Sequence, residues 1–252
     1  ESLGSLPRRR FPLRTRNMLR WWRFAAWPPA EWWSGEVDWV YSPAEYGVPV
    51  RRALRAVTSH DIHQNLSLGP PRLRERLGKI FRDADLILSV SRFNTERLLD
   101  AFPDCEGKIA HVPNAADDEF FEPATEEERS QVWADLDLPD RTPYLLSVAN
   151  FQPRKNLARF IRAASRLREV ERGELAIVLL GDGAEREVDE LRGVISEAGP
   201  RIKVRMPGYR QGTRLRAIYA EAIALVFPSL CESFGIPAVE AKIGRASCRE
   251  RV

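Results

Sequence analysis

Short apolar runs alternate with amphipathic stretches along most of this 252-residue chain. The apolar runs that predict strands lie at 37–41, 53–58, 85–90, 109–112, 143–149, 175–180, 201–206 and 222–227. Several of the stretches between them repeat apolar residues every three or four positions, which is the spacing of one helix face. Strands that alternate with helices indicate an α/β fold built on parallel sheets.

The same pattern divides the chain into segments. We predict an irregular basic and aromatic segment over 1–36, a first Rossmann-like domain over 37–116, a linker over 117–141, a second Rossmann-like domain over 142–241 and an unrelated tail over 242–252. The linker is predicted from its acidic, proline-containing composition, and the tail from its lack of any apolar period. A chain of this length is long enough for two modest domains.

Composition and charge narrow the range of functions. The 39 basic and 36 acidic residues give a net charge of +3, which is too balanced to indicate nucleic-acid binding. No apolar run approaches the ~20 residues of a membrane-spanning helix. The three scattered cysteines (Cys105, Cys231 and Cys248) lack metal-ligand spacing and favour a reduced, cytoplasmic compartment. No metal and no cofactor are expected.

The segment 1–36 combines a run of arginines at 8–16 with methionine, leucine, phenylalanine and tryptophan residues. One interpretation is a surface segment whose tryptophans pack on the domain, and the other is a basic aromatic helix that contacts anionic lipid. Pro28 and Pro29 interrupt any long amphipathic helix, which favours the first. Nucleic-acid binding is a weaker third interpretation, because no base-stacking motif follows. Peripheral contact with the inner face of a membrane therefore remains an alternative.

Two loops that directly follow predicted strands carry candidate chemistry. Arg154 and Lys155 stand just before a predicted helix. The interaction of a cation with the helix dipole there is unfavourable by up to ~1 kcal/mol unless an anion is nearby. Such a pair suits phosphate, because arginine forks onto phosphate oxygens and lysine adds a point charge. The next loop holds Gly181, Asp182 and Gly183, which would line a nucleotide-base pocket, although a plain turn explains them equally well.

A third loop carries two carboxylates and a helix start. Its candidate residues are Glu232, Phe234, Gly235, Ile236 and Glu240. Carboxylates suit sugar and ribose hydroxyls, whereas the unpaired N–H groups at a helix start suit phosphate. Since the carboxyl ends of parallel strands share one sheet edge, we expect Arg154, Lys155 and Glu232 to converge.

Several segments resemble the retaining GT-B glycosyltransferases of family 4. Residues 228–241 read P-S-L-C-E-S-F-G-I-P-A-V-E-A and resemble the family's E-x7-E signature, P-S-x-x-E-G-F-G-L-P-x-x-E-A, with Ser233 and Ile236 departing mildly. Residues 153–156, P-R-K-N, resemble a variant of its G-R-x-x-x-x-K-N loop. Residues 57–61, 89–93 and 112–115 resemble its V-T-x-H-D, V-S-x-F-S and I-P-N-G segments.

The resemblance implies two Rossmann-like domains facing across a cleft, and hexose transfer with retention. The donor would be a GDP- or UDP-linked sugar of mannose or glucose type, and the acceptor a carbohydrate or lipid-linked hydroxyl bound by the first domain. By resemblance, Arg154 and Lys155 contact the diphosphate, Glu232 the sugar, Glu240 the ribose, and His60 the donor-sugar pocket.

The resemblance also implies that both domains are incomplete. Nothing in 1–36 matches the family's opening strand and glycine-rich loop, and 242–252 has no counterpart in it. We therefore expect a chain that carries most donor-binding residues but has impaired activity or none. The alternative is a non-catalytic nucleotide-binding α/β module, which would need no paired carboxylates. A Rossmann dehydrogenase is disfavoured, since no G-x-G-x-x-G is present.

Overall fold

The computed structural model describes residues 17, 18, 21, 22 and 25–243. The chain divides after Asn114 into two compact units, and each unit contains a four-stranded parallel sheet. The predicted α/β fold class is therefore confirmed. The predicted arrangement at 8–16 lies outside the described residues.

Unit 1 alternates strands and helices from Glu31 onward. Its elements are α1 (Glu31–Ser34), β1 (Trp39–Ser42), β2 (Leu54–Ser59), α2 (Ile62–Leu68), α3 (Pro71–Asp83), β3 (Leu86–Ser89), α4 (Arg92–Ala101), a 3-10 helix at Pro103–Lys108 and β4 (Ile109–His111). The strands lie in the order β1-β2-β3-β4. The core forms where Leu77 and Phe81 of α3 and Leu98 of α4 pack around Ile87 of β3.

Unit 2 repeats this architecture with a longer run of elements. They are a 3-10 helix at Asp118–Phe121, α5 (Glu126–Ser130), α6 (Val132–Asp135), β5 (Tyr144–Val148), a 3-10 helix at Pro153–Lys155, α7 (Leu157–Ala164), α8 (Arg168–Glu171), β6 (Ala176–Leu180), α9 (Glu185–Ala198), β7 (Val204–Gly208), α10 (Gly212–Glu221), β8 (Ala224–Leu225) and α11 (Ile236–Ile243). The strand order is β7-β6-β5-β8.

Strand β6 explains why an unbroken apolar run predicts a strand here. Ala176, Val178 and Leu180 pack into a core on one face of the sheet, and Ile177 and Leu179 pack into a second core on the other. Every residue of the strand is buried. Helices cover both faces, so both sets of alternating side chains must be apolar.

Residues 117–141, predicted as a linker, belong to the folded body of unit 2. Phe120, Val132, Leu136 and Leu138 from this segment are buried in the same core as β5 and α10. Thr125 starts α5 with a capping box, in which its hydroxyl accepts from Glu128 and the Glu128 carboxylate accepts from the Thr125 N–H. The acidic residues lie mostly on the solvent side. Their number led to the prediction of a linker, although the apolar residues between them form a buried face.

Two predicted boundaries shift near the C-terminus. The strand predicted at 222–227 is reduced to Ala224–Leu225, half-buried at the sheet edge. Helix α11 continues to Ile243, which packs on the core, so the segment predicted as an unrelated tail begins two residues too early.

Within the part of the N-terminal segment that the structure describes, aromatic side chains contact one another. The Trp22 indole N–H donates to the Pro28 carbonyl at 3.0 Å, and the Trp27 and Trp32 rings meet edge to face at 4.8 Å. Met18 is buried, whereas Trp32 is exposed. Among the described residues, no helix has the length and apolar character needed to cross a bilayer.

Candidate active site

The loop after β5 holds two cations against the loop after β8. Asn156 ends the 3-10 helix Pro153–Lys155 in the left-handed conformation (φ 57°), which asparagine tolerates better than most residues. Its side-chain amide donates to the Pro228 carbonyl at 3.1 Å, and the Leu230 N–H donates to the Arg154 carbonyl at 2.9 Å. These bonds fix Arg154 and Lys155 beside Glu232.

Glu232 accepts from both cations. Lys155 Nζ lies 2.5 Å from Glu232 Oε1, and Arg154 Nη1 lies 3.3 Å from Glu232 Oε2. Burial alone would raise the pKa of Glu232, but hydrogen bonds from Lys155 and Ser229, together with the charges of Lys155 and Arg154, hold that pKa below its usual value. Two cations share one carboxylate, so the cluster keeps one excess positive charge for an anionic ligand.

Glycines bring the loop after β6 into contact with the loop after β5. Gly181 has φ +135°, and a Cβ added there would lie 1.9 Å from the Ala149 carbonyl oxygen. The Phe151 N–H donates to the Asp182 carbonyl at 2.7 Å, and a Cβ on Gly183 would lie 2.8 Å from that of Phe151. The loop after β5 therefore contacts both of the other loops, through Phe151 to the loop after β6 and through Arg154 to the loop after β8.

Helix α11 begins immediately after the Glu232 loop. Gly235 makes the turn with φ +84°, and an added Cβ would press to 3.3 Å from the Phe227 ring. Phe234 and Ile236 flank this turn, and Ile236 is the first helical residue. The first-turn N–H groups of a helix attract anions. This helix start follows the loop whose Glu232 contacts the two cations.

Glu240 lies one turn into α11 in a distinct electrostatic setting. The Tyr219 hydroxyl donates to Glu240 Oε2 at 2.9 Å. Burial raises the pKa of Glu240, and the charges of Asp117 and Glu119 raise it further, while the Tyr219 hydrogen bond opposes them. The two acids of the predicted pair thus differ, since the pKa of Glu232 is lowered and that of Glu240 is raised. Sequence reasoning missed Tyr219.

His60 lies in unit 1, one residue beyond β2. Its Nε2 contacts the Pro43 carbonyl at 2.7 Å and therefore carries the proton, and its backbone N–H donates to Glu45 Oε1 at 2.9 Å. The buried Asn94, which the sequence did not single out, donates to the Ser59 carbonyl at 2.9 Å and accepts from the Ile62 N–H at 3.1 Å. Asn94 thus fixes the backbone on both sides of His60. A polar residue on the buried face of a predicted helix was the available signal.

No metal site is evident among the described residues, where no group of three or more His, Cys, Asp or Glu residues is arranged to hold an ion. Two Asp-x-Asp pairs occur and serve other contacts. Asp83 pairs with Arg55 at 3.4 Å, and Asp137 pairs with Arg205 at 3.2 Å.

A basic cavity of about 630 Å³ lies in unit 1. Arg72, Arg76 and Lys79 of α3 line it at the spacing of one helix face, with Leu73 and Ile80 among its apolar residues. Glu45, which accepts the His60 N–H, also lines this cavity. It therefore combines positive charge with apolar surface.

Comparison with known proteins gives a family match and a set of relatives. Residues 129–243 match the family model "Glycosyl transferases group 1". The chain is 27% identical to a D-inositol 3-phosphate glycosyltransferase from Corynebacterium aurimucosum, over 84% of this chain and 51% of the relative. It is 28% identical to the serotype-specific mannosyltransferase WbdA from Escherichia coli, over 69% of this chain and 22% of the relative. The chain spans about half the length of the inositol-phosphate relatives.

Solved structures with the same fold are glycosyltransferases. The chain is similar to Anabaena HepE in complex with UDP and glucose, with a TM-score of 0.70 and 18% identity over 82% of this chain and 57% of that one. It is also similar to the catalytic domain of starch synthase IV from Arabidopsis thaliana, with a TM-score of 0.60 and 15% identity over 90% and 57%. Residues 129–243 are thus similar to the glycosyl transferases group 1 family, and the α/β fold of the chain is that of GT-B glycosyltransferases.

Proposed function

We propose that this chain provides the donor-binding residues of a retaining hexosyltransferase. The enzyme would transfer a mannose- or glucose-type sugar from a nucleotide diphosphate sugar to an acceptor hydroxyl. The observation that carries the proposal is the contact of Lys155 and Arg154 with Glu232, at 2.5 and 3.3 Å. A diphosphate leaving group needs fixed positive charge, and a sugar needs hydrogen-bond acceptors for its hydroxyls. This cluster offers both, because the two cations lie within hydrogen-bond distance of the Glu232 carboxylate.

The leaving diphosphate would be stabilised by Arg154, Lys155 and the start of α11. As the bond between the sugar and the diphosphate breaks, negative charge grows on the phosphate oxygens. Fixed cations and helix-start N–H groups stabilise the transition state, in which this charge has grown, more than the ground state, and this difference lowers the barrier. Removing one such donor from an active site typically costs about 10²–10³-fold in kcat.

Glu232 would change partners when the donor binds. Without a ligand, its carboxylate offsets part of the charge on Lys155 and Arg154. A bound diphosphate would take over those cations and leave Glu232 oxygens available to the sugar hydroxyls. Glu232 would therefore favour the nucleotide sugar over the nucleoside diphosphate product, because only the former carries the hexose to be transferred.

Uracil and guanine are the two candidate donor bases. HepE is solved with UDP and glucose, and WbdA is named as a mannosyltransferase, which supports UDP-glucose and GDP-mannose as the donors to test first. Gly181, Asp182 and Gly183 would line the base pocket, since their loop contacts the loop that leads to Lys155.

The acceptor would bind unit 1. Its basic cavity, lined by Arg72, Arg76 and Lys79, suits an anionic carbohydrate or lipid-linked acceptor, and relatives are named for inositol 3-phosphate. A cytoplasmic location, at the inner face of the membrane if the acceptor is a lipid, completes the proposal.

Charge reversal at Arg72 and Lys79 should weaken binding of inositol 3-phosphate at least 10-fold without changing UDP or GDP affinity.

Calorimetric titration of the 252-residue chain with UDP, GDP, their sugar conjugates and NAD tests the donor proposal. One of UDP or GDP should bind, and NAD should not. Glu232→Gln should abolish any preference for the sugar conjugate over the free diphosphate. A non-catalytic nucleotide-binding module would instead bind the diphosphate alone and ignore the sugar in wild type and variant alike. Binding of NAD with no response to UDP or GDP would contradict the proposal.

A further inference from the structure

We propose that Tyr219 is a positioning residue that holds one carboxylate oxygen of Glu240 and leaves the other for a hydroxyl of the bound nucleotide. The inference rests on the proposed function, since it takes Glu240 as the group that meets the ribose. It goes beyond that function by assigning a role to Tyr219, which lies on a different helix.

The Tyr219 hydroxyl is held in a fixed position. The side chain is fully buried on α10, and its ring meets the ring of Phe120 edge to face at 5.9 Å. Phe120 is itself buried and belongs to the 3-10 helix Asp118–Phe121. A buried tyrosine hydroxyl requires a hydrogen-bond partner, and Glu240 Oε2 at 2.9 Å is that partner. Two packed aromatic rings therefore fix the position of one Glu240 oxygen.

The charges around Glu240 make this hydrogen bond important. The groups that act on Glu240 from the packed elements are Asp117 and Glu119 on the segment before α5, and Tyr219 on α10. Arg216, also on α10, is occupied by Glu128 at 2.7 Å and by the Glu119 carbonyl at 3.0 Å. Burial and the two neighbouring acids thus favour the protonated carboxyl. A hydroxyl that donates to the carboxylate favours the ionised form.

Ionisation matters for the proposed contact. An ionised carboxylate accepts hydrogen bonds at both oxygens, and such charge-assisted bonds are about twice as strong as neutral ones. With Oε2 engaged by Tyr219, Oε1 is the oxygen left for a ribose hydroxyl. Loss of the tyrosine hydroxyl would leave a carboxyl that is protonated to higher pH and can rotate, which would weaken nucleotide binding without touching the phosphate cluster.

The chain offers a matched control in the same core. The Tyr144 hydroxyl donates to the Ile218 carbonyl at 2.6 Å, and the Tyr144 side chain is as buried as that of Tyr219. Tyr144→Phe and Tyr219→Phe each remove one buried hydroxyl from a ring that stays packed. Only Tyr219→Phe removes a partner of Glu240.

The first experiment follows the Glu240 carboxyl by carbon NMR in the ligand-free chain, with the signal assigned through Glu240→Gln. Tyr219→Phe should raise the pKa of Glu240, whereas Tyr144→Phe should leave that pKa unchanged. The second experiment measures affinity for UDP and GDP at pH 7. Tyr219→Phe should lower the nucleotide affinity about 5- to 10-fold. This loss should vanish with the 2′,3′-dideoxy nucleotide, and it should be absent when Tyr219→Phe is added to Glu240→Gln.

The outcomes separate this inference from the proposed function. Weakened binding in Glu240→Gln but wild-type affinity and an unchanged Glu240 pKa in Tyr219→Phe would overturn the inference alone. Equal losses in Tyr144→Phe and Tyr219→Phe would also overturn it, because they would indicate a general effect on the core. A wild-type chain that binds neither UDP nor GDP would overturn the proposed function, and the nucleotide role of Tyr219 with it.

Discussion

Single residues define the candidate site through their charge environments. Glu232 and Glu240 are eight positions apart, yet Lys155 and Arg154 lower the pKa of the first, while burial and nearby acids raise the pKa of the second. Groups whose environments push their pKa values apart are characteristic of functional sites. The difference also makes the two carboxylates respond to pH in opposite directions.

Glu232→Gln is expected to destabilise the fold at neutral pH by about 1–3 kcal/mol, since two cations lose a charged partner. The folded-state pKa of Glu232 lies below the usual 4.5, so its stabilisation is present above that value and is lost as the pH falls through the folded-state pKa. Urea unfolding at pH 7 and at pH 3.5 would measure both effects. The control Glu190→Gln breaks an exposed pair with Arg186 and should cost less than about 0.5 kcal/mol. A pH-independent difference would contradict this assignment.

Glu240→Gln should show the opposite dependence. Because the folded-state pKa of Glu240 is raised, wild type loses stability as pH rises from about 4.5 through that pKa, and the variant does not. We expect the variant to match or exceed wild type at pH 8, by up to about 1 kcal/mol, and to lose this advantage at pH 4. Thermal melts across this range would test it, and a variant less stable than wild type at pH 8 would argue against repulsion by Asp117 and Glu119.

At the scale of elements, strand-end loops place the site. The strands β5, β6 and β8 are parallel, so the loops that leave them meet at one edge of the sheet. Contact between the first two loops depends on Gly181, whose backbone touches Ala149. This position has both a positive φ and no space for a side chain, and both conditions exclude other residues.

Gly181→Ala should therefore destabilise unit 2 by about 2 kcal/mol or more, from backbone strain together with the clash against the Ala149 carbonyl. Gly193→Ala provides the comparison, because Gly193 lies within α9 with open space around it. That change should stabilise the helix by about 0.5–1 kcal/mol. Denaturant unfolding of the two variants should give shifts of opposite sign, and equal shifts would mean that the loop contact is unimportant.

The elements also show which parts of the sequence could be interpreted. Buried strands such as β6 were predictable, because residues that pack on both faces form one apolar run. Residues 117–141 were not, because exposed acids outnumber the four apolar residues that enter the core. Likewise the convergence of Lys155 and Glu232 followed from strand-end placement, whereas Tyr219 lies within a helix and its partner is fixed only by how α10 and α11 pack.

At the scale of the whole molecule, the chain joins two α/β units that divide after Asn114. Composition and periodicity predicted this class, and residues 129–243 of unit 2 match the model of a glycosyltransferase family. All the cations and carboxylates assigned to the diphosphate, the sugar and the ribose lie in unit 2. Binding of the diphosphate and the ribose should therefore respond to substitutions in unit 2, and acceptor binding to substitutions in unit 1.

The most direct measurement is a double-mutant cycle on nucleoside diphosphate affinity, with Lys155→Ala, Glu232→Gln and the pair. Arg162→Ala is the control, because it removes an exposed cation of α7 that pairs with Glu197. Lys155→Ala should weaken the binding of UDP or GDP at least 10-fold. Glu232→Gln should strengthen this binding severalfold by releasing both cations, and Arg162→Ala should leave it unchanged. Wild-type affinity in Lys155→Ala would contradict the account.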